Sequence, residues 1–455
     1  MAKGTQQPKG RGAGPRPARA RVAALRVLQP IQAFVATESA SGIVLLVATV
    51  AAVVWANSPW DGSYNNLWHS KVVLETGIVA IREDLGHFIN DGLMAIFFFV
   101  IGLEIKRELV HGELASPRRA ALPVAAALGG MAVPALIFTA WNAGGDGSSG
   151  WGIPMATDVA FALGALALVG RAAPFGLKVM LLALAVVDDL GAIAVIVLFY
   201  TESLSIGALA WAALFTAILA GFATFRVGHP LPWVVVAIAL WVAVLESGVH
   251  ATVAGVIVAV LVPARATRTV EQADAEVEAL LDAARAARSS GDRERDEATL
   301  DRLGALASSA EAPLDRVEHA VHPWVSFVII PIFALANAGV VIDRASVEAA
   351  ANSAVTAGVA FGLVVGKPVG IFAFAWLAVR LGWAVLPTGV NFAQIAAMGL
   401  IAGIGFTVSL FITGLAYDDA GLVAEAKLGI LAASVLAAVG GSLWLRAIAK
   451  PAAPA

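Results

Sequence analysis

The 455-residue chain has no cysteine, which excludes disulfides and thiolate metal sites and leaves nothing from which to infer a redox compartment. Charge is scarce too. Only 14% of residues are Asp, Glu, Lys or Arg, against about 25% in an ordinary soluble domain, while 59% are hydrophobic. With a mean hydropathy of +0.82, this is not a water-soluble globular composition. The apolar runs are continuous rather than alternating, which argues against a transmembrane β-barrel. No cleavable signal peptide is evident, because Arg26 and Pro30 interrupt the first apolar stretch. The formal net charge of −3 says little, since the charges are unevenly placed, and no nucleic-acid partner is expected.

What the chain does have is a series of apolar runs of about 20 residues, the length that crosses a bilayer as a helix. The expected fold is an all-α polytopic membrane protein with twelve transmembrane helices. The spans fall near 39–57, 86–107, 118–140, 151–170, 176–200, 205–224, 231–246, 249–263, 322–341, 353–379, 391–415 and 424–446. The chain then divides into a basic tail at 1–32, spans 1–8 at 33–263, a charged linker at 264–320, spans 9–12 at 321–449 and a short tail at 450–455. Residues 1–26 hold seven Lys or Arg and no acid, the composition of a disordered solubilising arm. The linker is long, charged and Ala-rich, with helical spacing in VEALLDAARAA, and reads as a solvated connector.

Loop charges set the expected orientation. Lys106, Arg107, Arg118 and Arg119 flank the second loop, and Arg171 and Lys178 the fourth. Arg226 sits in the sixth, whereas the alternate loops 141–150 and 201–205 carry no basic residue. Arg344 is an exception. Excess basic charge marks the cytoplasmic side, so both termini are expected there. Residues 58–84 lie outside, and the β-branched runs around Glu75-Thr76-Gly77 suggest a hairpin.

The chemistry lies in the few polar groups inside these spans. Span 5 reads MLLALAVVDDLGAIAVIVLFY, apolar except for Asp188 and Asp189. An ionisable group at the bilayer centre costs roughly 2.5–3.5 kcal/mol on insertion scales, so adjacent aspartates point to an ion or proton pathway. Span 4 carries Pro154, Thr157 and Asp158 in mid-membrane, and span 11 is broken by Gly399, Gly403, Gly405 and Thr407. Each is expected to be interrupted near its middle. A broken helix exposes amides on one half and carbonyls on the other, and such carbonyls can ligate a cation. Close helix packing is the plainer use of the same glycines. Lys367, in GLVVGKPVGIFAF of span 10, lies too deep to snorkel and needs a partner. Three mid-membrane aspartates are available. At the ends of spans 2 and 9 sit Glu104, Glu108, Glu318, His319 and His322, either ordinary anchors or a titrating group near neutral pH. His250, opening span 8, is a weaker candidate, and Asp91 sits near the outer end of span 2.

Taken together these motifs closely resemble the NhaA-type bacterial sodium/proton antiporters. The matching stretches are NDGLMAIFFFVIGLEIKREL (90–109), IPMATDVAFALGALALVG (153–170), ALAVVDDLGAIAVIVLFY (183–200), SGVHATVAGVIV (247–258), EHAVHPWVSFVIIPIFALANAGV (318–340), GKPVGI (366–371) and AGIGFTVSLFI (402–412). That family is itself a standard example of inverted repeats with midplane sites, so those features follow from the resemblance and not from the residues. The resemblance implies inverted repeats from spans 3–5 and 10–12, with interrupted spans 4 and 11 crossing at the midplane. It implies that Asp189 binds sodium or protons with Asp188 beside it, and that Thr157 lies at the cavity. Lys367 would pair with Asp188 and offset the carbonyl ends of the crossing, and Asp158 would offset the amide ends. Glu104, Glu108, Glu318, His319 and His322 would form a cytoplasmic pH-sensing region. The implied activity is electrogenic exchange of internal sodium or lithium for more external protons, without a cofactor, in the inner membrane. A homodimer through the 58–84 segment is also implied. The longer linker and the longer basic tail depart from the family pattern, and 58–84 matches it weakly.

Other classes fit less well. A proton-coupled solute symporter needs a larger polar cavity than these spans offer. A membrane aspartyl protease needs two catalytic aspartates; Tyr417-Asp418 resembles half of that signature, but Asp418 lies at a span end and no G-x-G-D occurs. A passive cation channel would conduct without proton coupling. No enzyme activity is expected.

Overall fold

The computed structural model describes residues 40–75, 80–170, 173–201, 204–266 and 312–449, with a few positions between 276 and 302. The tail at 1–32, the end at 450–455 and most of the linker at 264–320 lie outside the described residues.

The chain begins with helix α1 (Ala40–Ala56), which turns by 115° into α2 (Asp61–Trp68). Strands β1 (Lys71–Glu75) and β2 (Ala80–Asp84) pair antiparallel, with Lys71 opposite Asp84 and Glu75 opposite Ala80. Then come α3 (Leu85–Val110) and α4 (Pro117–Asn142). A 3-10 segment (Asp146–Met155) leads into α5 (Val159–Val169) at a bend of 47°. Next are α6 (Phe175–Phe199), α7 (Ile206–Thr224), α8 (Pro230–Leu245) and α9 (Val253–Leu261). Starting within the last residues of the expected linker comes α10 (Pro313–Asn337), followed by α11 (Arg344–Asn352) and α12 (Ala354–Arg380). Then α13 (Phe392–Ala402) and α14 (Phe406–Ala416) meet at a bend of 50°, and α15 (Ala420–Ile448) closes the chain.

Among the described residues seven helices are long and apolar enough to cross a membrane, or up to ten if each bent pair is one span. The fold is thus that of a polytopic helical membrane protein. The segments expected as spans 7 and 8 are shorter: α8 has 16 residues and α9 nine. Between them the backbone turns at Gly248, with φ of +81°, and hydrogen bonds from Val253 and Ala254 back to His250 and Ala251 use up residues otherwise available to α9.

The helix ends follow from local chemistry. Asn391 and Gln394 form a reciprocal capping box at the start of α13, and Asp419 accepts from the Leu422 amide at the start of α15. The outer surface is apolar. Val47, Leu136, Leu198, Val369 and Val435 are all exposed, as a lipid-facing belt requires. Inside, small residues let backbones touch. Gly129 of α4 and Gly370 of α12 face each other so closely that a Cβ on either would collide with the other's carbonyl. That contact brings the helix of Lys367 against α4, which also packs on α6, the helix of the two aspartates.

Candidate functional site

Helix α6 carries Asp188 and Asp189 at its middle, and both are buried. Asp188 Oδ2 lies 2.9 Å from Lys367 Nζ and accepts a 2.8 Å hydrogen bond from Thr157 Oγ1. Lys367 Nζ also donates to the carbonyl of Met155, the last residue of the 3-10 segment. One buried ammonium therefore serves a carboxylate and an open helix end together. Asp188 Oδ1 is buried and has no hydrogen-bond partner among the described residues.

Thr157 lies in the gap between the 3-10 segment and α5. Its hydroxyl stands 2.8 Å from Asp188 Oδ2 and 3.0 Å from the carbonyl of Ala402, the last residue of α13. A hydroxyl has one proton, so these acceptors compete for it. Asp158 caps α5 by accepting from the Phe161 amide at 3.0 Å. Its Oδ2 takes two more bonds, from the Thr407 amide at 3.1 Å and the Thr407 hydroxyl at 2.6 Å, at the start of α14. The Asp158 amide in turn donates to Ile404 O at 2.7 Å, inside the break between α13 and α14. The two interruptions thus touch. One acid answers two amide ends, and one lysine answers a carbonyl end.

Asp189 faces a cavity of about 50 Å³ lined also by Glu104, Thr157, Asp158, His322, Ser326 and Thr407, with apolar walls from Phe97, Val100 and Ile330. That is room for a few water-sized particles at roughly 10–15 Å³ each, the scale of a small, partly dehydrated cation. Asp158, Asp189 and Glu104 line the cavity, and the Asp188 carboxylate beside them is paired with Lys367, so the formal charge of the lining is negative. Among the described residues no three His, Cys, Asp or Glu side chains converge as a metal cluster. A cation here would meet carboxylate and hydroxyl oxygens of mixed origin.

The residues expected at the cytoplasmic end divide in two. Glu104 and His322 line the cavity, and the buried Glu318 forms an ion pair with Arg107 of α3. Arg107 Nη2 also lies 3.9 Å from Glu104. Glu108 instead accepts from the Glu113 amide in the following loop, and His319 is exposed, one residue along α10 from the buried Glu318. His250 contacts the Tyr200 carbonyl, away from the aspartates, and Asp91 sits in a π turn of α3 with its carbonyl accepting from Trp241. Of the expected helix breaks, Gly403 and Gly405 lie in the gap between α13 and α14, whereas Pro154 lies inside the 3-10 segment, before the gap. Three contributors carry no expectation from the sequence: the Met155 and Ala402 carbonyls, which leave no side-chain signal, and Ser326, a lone polar group in an apolar run and so legible in principle.

Buried opposing charges, two touching helix breaks and a small anionic cavity define a polytopic helical membrane transporter with a cation-sized site. A family model described as Na+/H+ antiporter 1 matches residues 32–445. The chain belongs to that family. It is 46% identical to the Na(+)/H(+) antiporter NhaA of Oleidesulfovibrio alaskensis, covering 93% of this chain and 95% of the relative. It is 44% identical to the Na(+)/H(+) antiporter NhaA 2 of Sorangium cellulosum (94% and 91%) and 44% identical to the Na(+)/H(+) antiporter NhaA of Rhodopirellula baltica (94% and 96%).

Proposed function

We propose that the protein is an electrogenic, pH-regulated antiporter that extrudes sodium or lithium in exchange for a larger number of external protons, contributing to sodium and pH homeostasis. The observation that carries this reading is Asp189, a buried carboxylate at a cation-sized cavity beside the Asp188–Lys367 pair. A carboxylate in that setting holds a proton or a sodium ion but not both, so the two ions compete for one place. Facing the cytoplasm, sodium displaces protons; facing outwards, under an inward proton gradient, protons displace sodium. Coupling then needs only that the cavity open to one side at a time.

In this scheme Asp189 is the carrier, Asp188 and Thr157 complete the ion's surroundings, and Lys367 and Asp158 neutralise the ends of the broken helices. The Arg107–Glu318 pair, with Glu104 and His322, sits at the cytoplasmic mouth, where protonation would bias opening; Glu108 and His319 would act around it. The proposed architecture has twelve spans, with spans 3–5 and 10–12 as inverted repeats crossing at the bilayer midplane. Both termini and the linker lie on the cytoplasmic side of the bacterial inner membrane, supported by the basic loops. Among the described residues the sheet has two strands, β1 and β2, each with an outer edge that suits pairing with a second copy outside the membrane.

The test uses inside-out vesicles from cells lacking other antiporters. A respiration-driven proton gradient is followed by a fluorescent probe while NaCl, LiCl or KCl is added across a pH series. Collapse of the gradient by sodium or lithium, absent in Asp189→Asn, is expected. Normal sodium-dependent proton flux in that variant would overturn the assignment.

A further inference from the structure

A second cavity, of about 570 Å³, lies away from the aspartates at the level of the loops that join α3 to α4, α5 to α6 and α12 to α13. It has two chemically different parts. Leu122 and Pro123 of α4, Val179 and Met180 of α6, and Leu386 of the third loop line an apolar body. Arg118 and Arg119 stand at the mouth, with Glu113 as the opposing charge, so the formal balance there is +1. Both arginines are exposed, and neither makes an ion pair or side-chain hydrogen bond among the described residues.

The placement of these arginines is costly without a counter-ion. They occupy the first turn of α4, where the helix dipole already presents positive charge, and no acidic residue shares that turn. The α4 N-cap, Ser116, makes no side-chain capping hydrogen bond to the helix. The first turn of α6, which also lines the cavity, has no side-chain cap and no acid either. Trp383, exposed in the adjoining loop, marks the depth of the membrane interface. An anion held at the mouth, with its own apolar portion filling the body, satisfies both parts of the cavity.

We infer that this cavity binds an anionic phospholipid of the adjacent leaflet, its phosphate on Arg118 and Arg119 and one acyl chain against Leu122, Val179 and Met180. Charge complementarity selects the anionic class, and the apolar body selects a lipid over a free phosphate. The walls come from the helix of Asp188 and Asp189, from the helix packed against that of Lys367, and from the loop joining the Lys367 helix to the second broken span. A bound lipid therefore bridges the elements whose relative position defines the ion site.

The full-length protein, delipidated and reconstituted in nanodiscs of pure phosphatidylcholine, would be titrated with phosphatidylglycerol, with extra phosphatidylcholine, or with inorganic phosphate alone. Thermal midpoint and lipid retention by native mass spectrometry are the readouts. Phosphatidylglycerol is expected to be retained and to raise the midpoint, and the other two to do neither. R118Q/R119Q should weaken phosphatidylglycerol binding about thirtyfold while keeping the wild-type midpoint in phosphatidylcholine. V179W, which fills the apolar body and leaves both arginines, should also lose retention. Equal stabilisation by both lipids, an effect reproduced by inorganic phosphate, or unchanged binding in R118Q/R119Q would each overturn the site.

Discussion

Lys367 Nζ stands 2.9 Å from Asp188 Oδ2, and neither side chain has any exposed surface. An ammonium and a carboxylate at that depth are each costly alone, and together each supplies what the other lacks. Lys367→Met should therefore lower stability by about 3–5 kcal/mol, by stranding a buried carboxylate. Asp188→Asn/Lys367→Met should be closer to wild type than Lys367→Met alone. Thermal unfolding in detergent micelles gives the cycle; strictly additive losses would show that the two side chains do not support each other.

Asp189 behaves differently, because no described residue donates a hydrogen bond to its carboxyl. Replacing it with Asn removes the charge without breaking a hydrogen bond to a described residue. Asp189→Asn should unfold within about 1 kcal/mol of wild type while sodium-dependent proton flux falls to background. A variant that loses flux only because it unfolds would give Asp189 a structural role instead.

Asp158 accepts from three donors at the start of two helices, Phe161 N, Thr407 N and Thr407 Oγ1. Asp158→Ala removes two caps at about 1 kcal/mol each and strands the Thr407 hydroxyl, about 3 kcal/mol in all. Asp158→Asn retains an acceptor and should recover at least half of that loss. Equal midpoints for the Ala and Asn variants would rule out capping as the role of Asp158.

Gly129 and Gly370 allow two helix backbones to touch, so a single methyl group at either has nowhere to go. Gly129→Ala should cost about 1–3 kcal/mol by overpacking. Gly164, on α5, has open space where its Cβ would be, and Gly164→Ala should stabilise by about 0.5–1 kcal/mol. If both substitutions move the midpoint the same way, backbone contact is not what holds α4 to α12.

Asp84, at the end of β2, caps α3. Partial burial pushes its carboxyl up, but hydrogen bonds from the His87 amide and ring, each 2.7 Å, outweigh this and hold it below the usual carboxylate range. A depressed folded-state value means the cap contributes above the unfolded value, about 4, and is lost as pH falls through the folded one. Asp84→Ala should thus be less stable than wild type at pH 7, with the gap closing below pH of about 4. A gap that persists at pH of about 2 would mean that packing, and not the ionised cap, carries the difference.

Much of this architecture was legible in advance because a bilayer imposes strong rules. Long apolar runs become spans, and polar groups inside them stand out against a silent background; Asp188-Asp189, Asp158 and Lys367 are visible for that reason. The Gly403–Gly405 break was equally legible, since glycines in an apolar run weaken a helix locally. The form of the first broken span was not. Pro154 marks it, yet the chain there is a ten-residue 3-10 segment whose gap comes after the proline. The π turns at Ile89–Leu93, Val325–Ile329 and Gly362–Gly366 left no pattern in the sequence either, because one extra residue in a turn changes side-chain direction without changing composition.

By itself the sequence determined the solvent of this protein, the approximate places of its apolar helices, and which ionisable groups are forced into the interior. These are decided by local composition, since an apolar run of sufficient length has few alternatives in lipid. Only the tertiary structure decided the partners. The residues leave three aspartates open to Lys367, and proximity in space selects Asp188. Arg107 could have faced water, and it pairs with Glu318, 211 residues further along the chain. The Met155 and Ala402 carbonyls became site groups because two helices end side by side. Partners of this kind depend on contacts between residues far apart in the chain, and no local pattern encodes them.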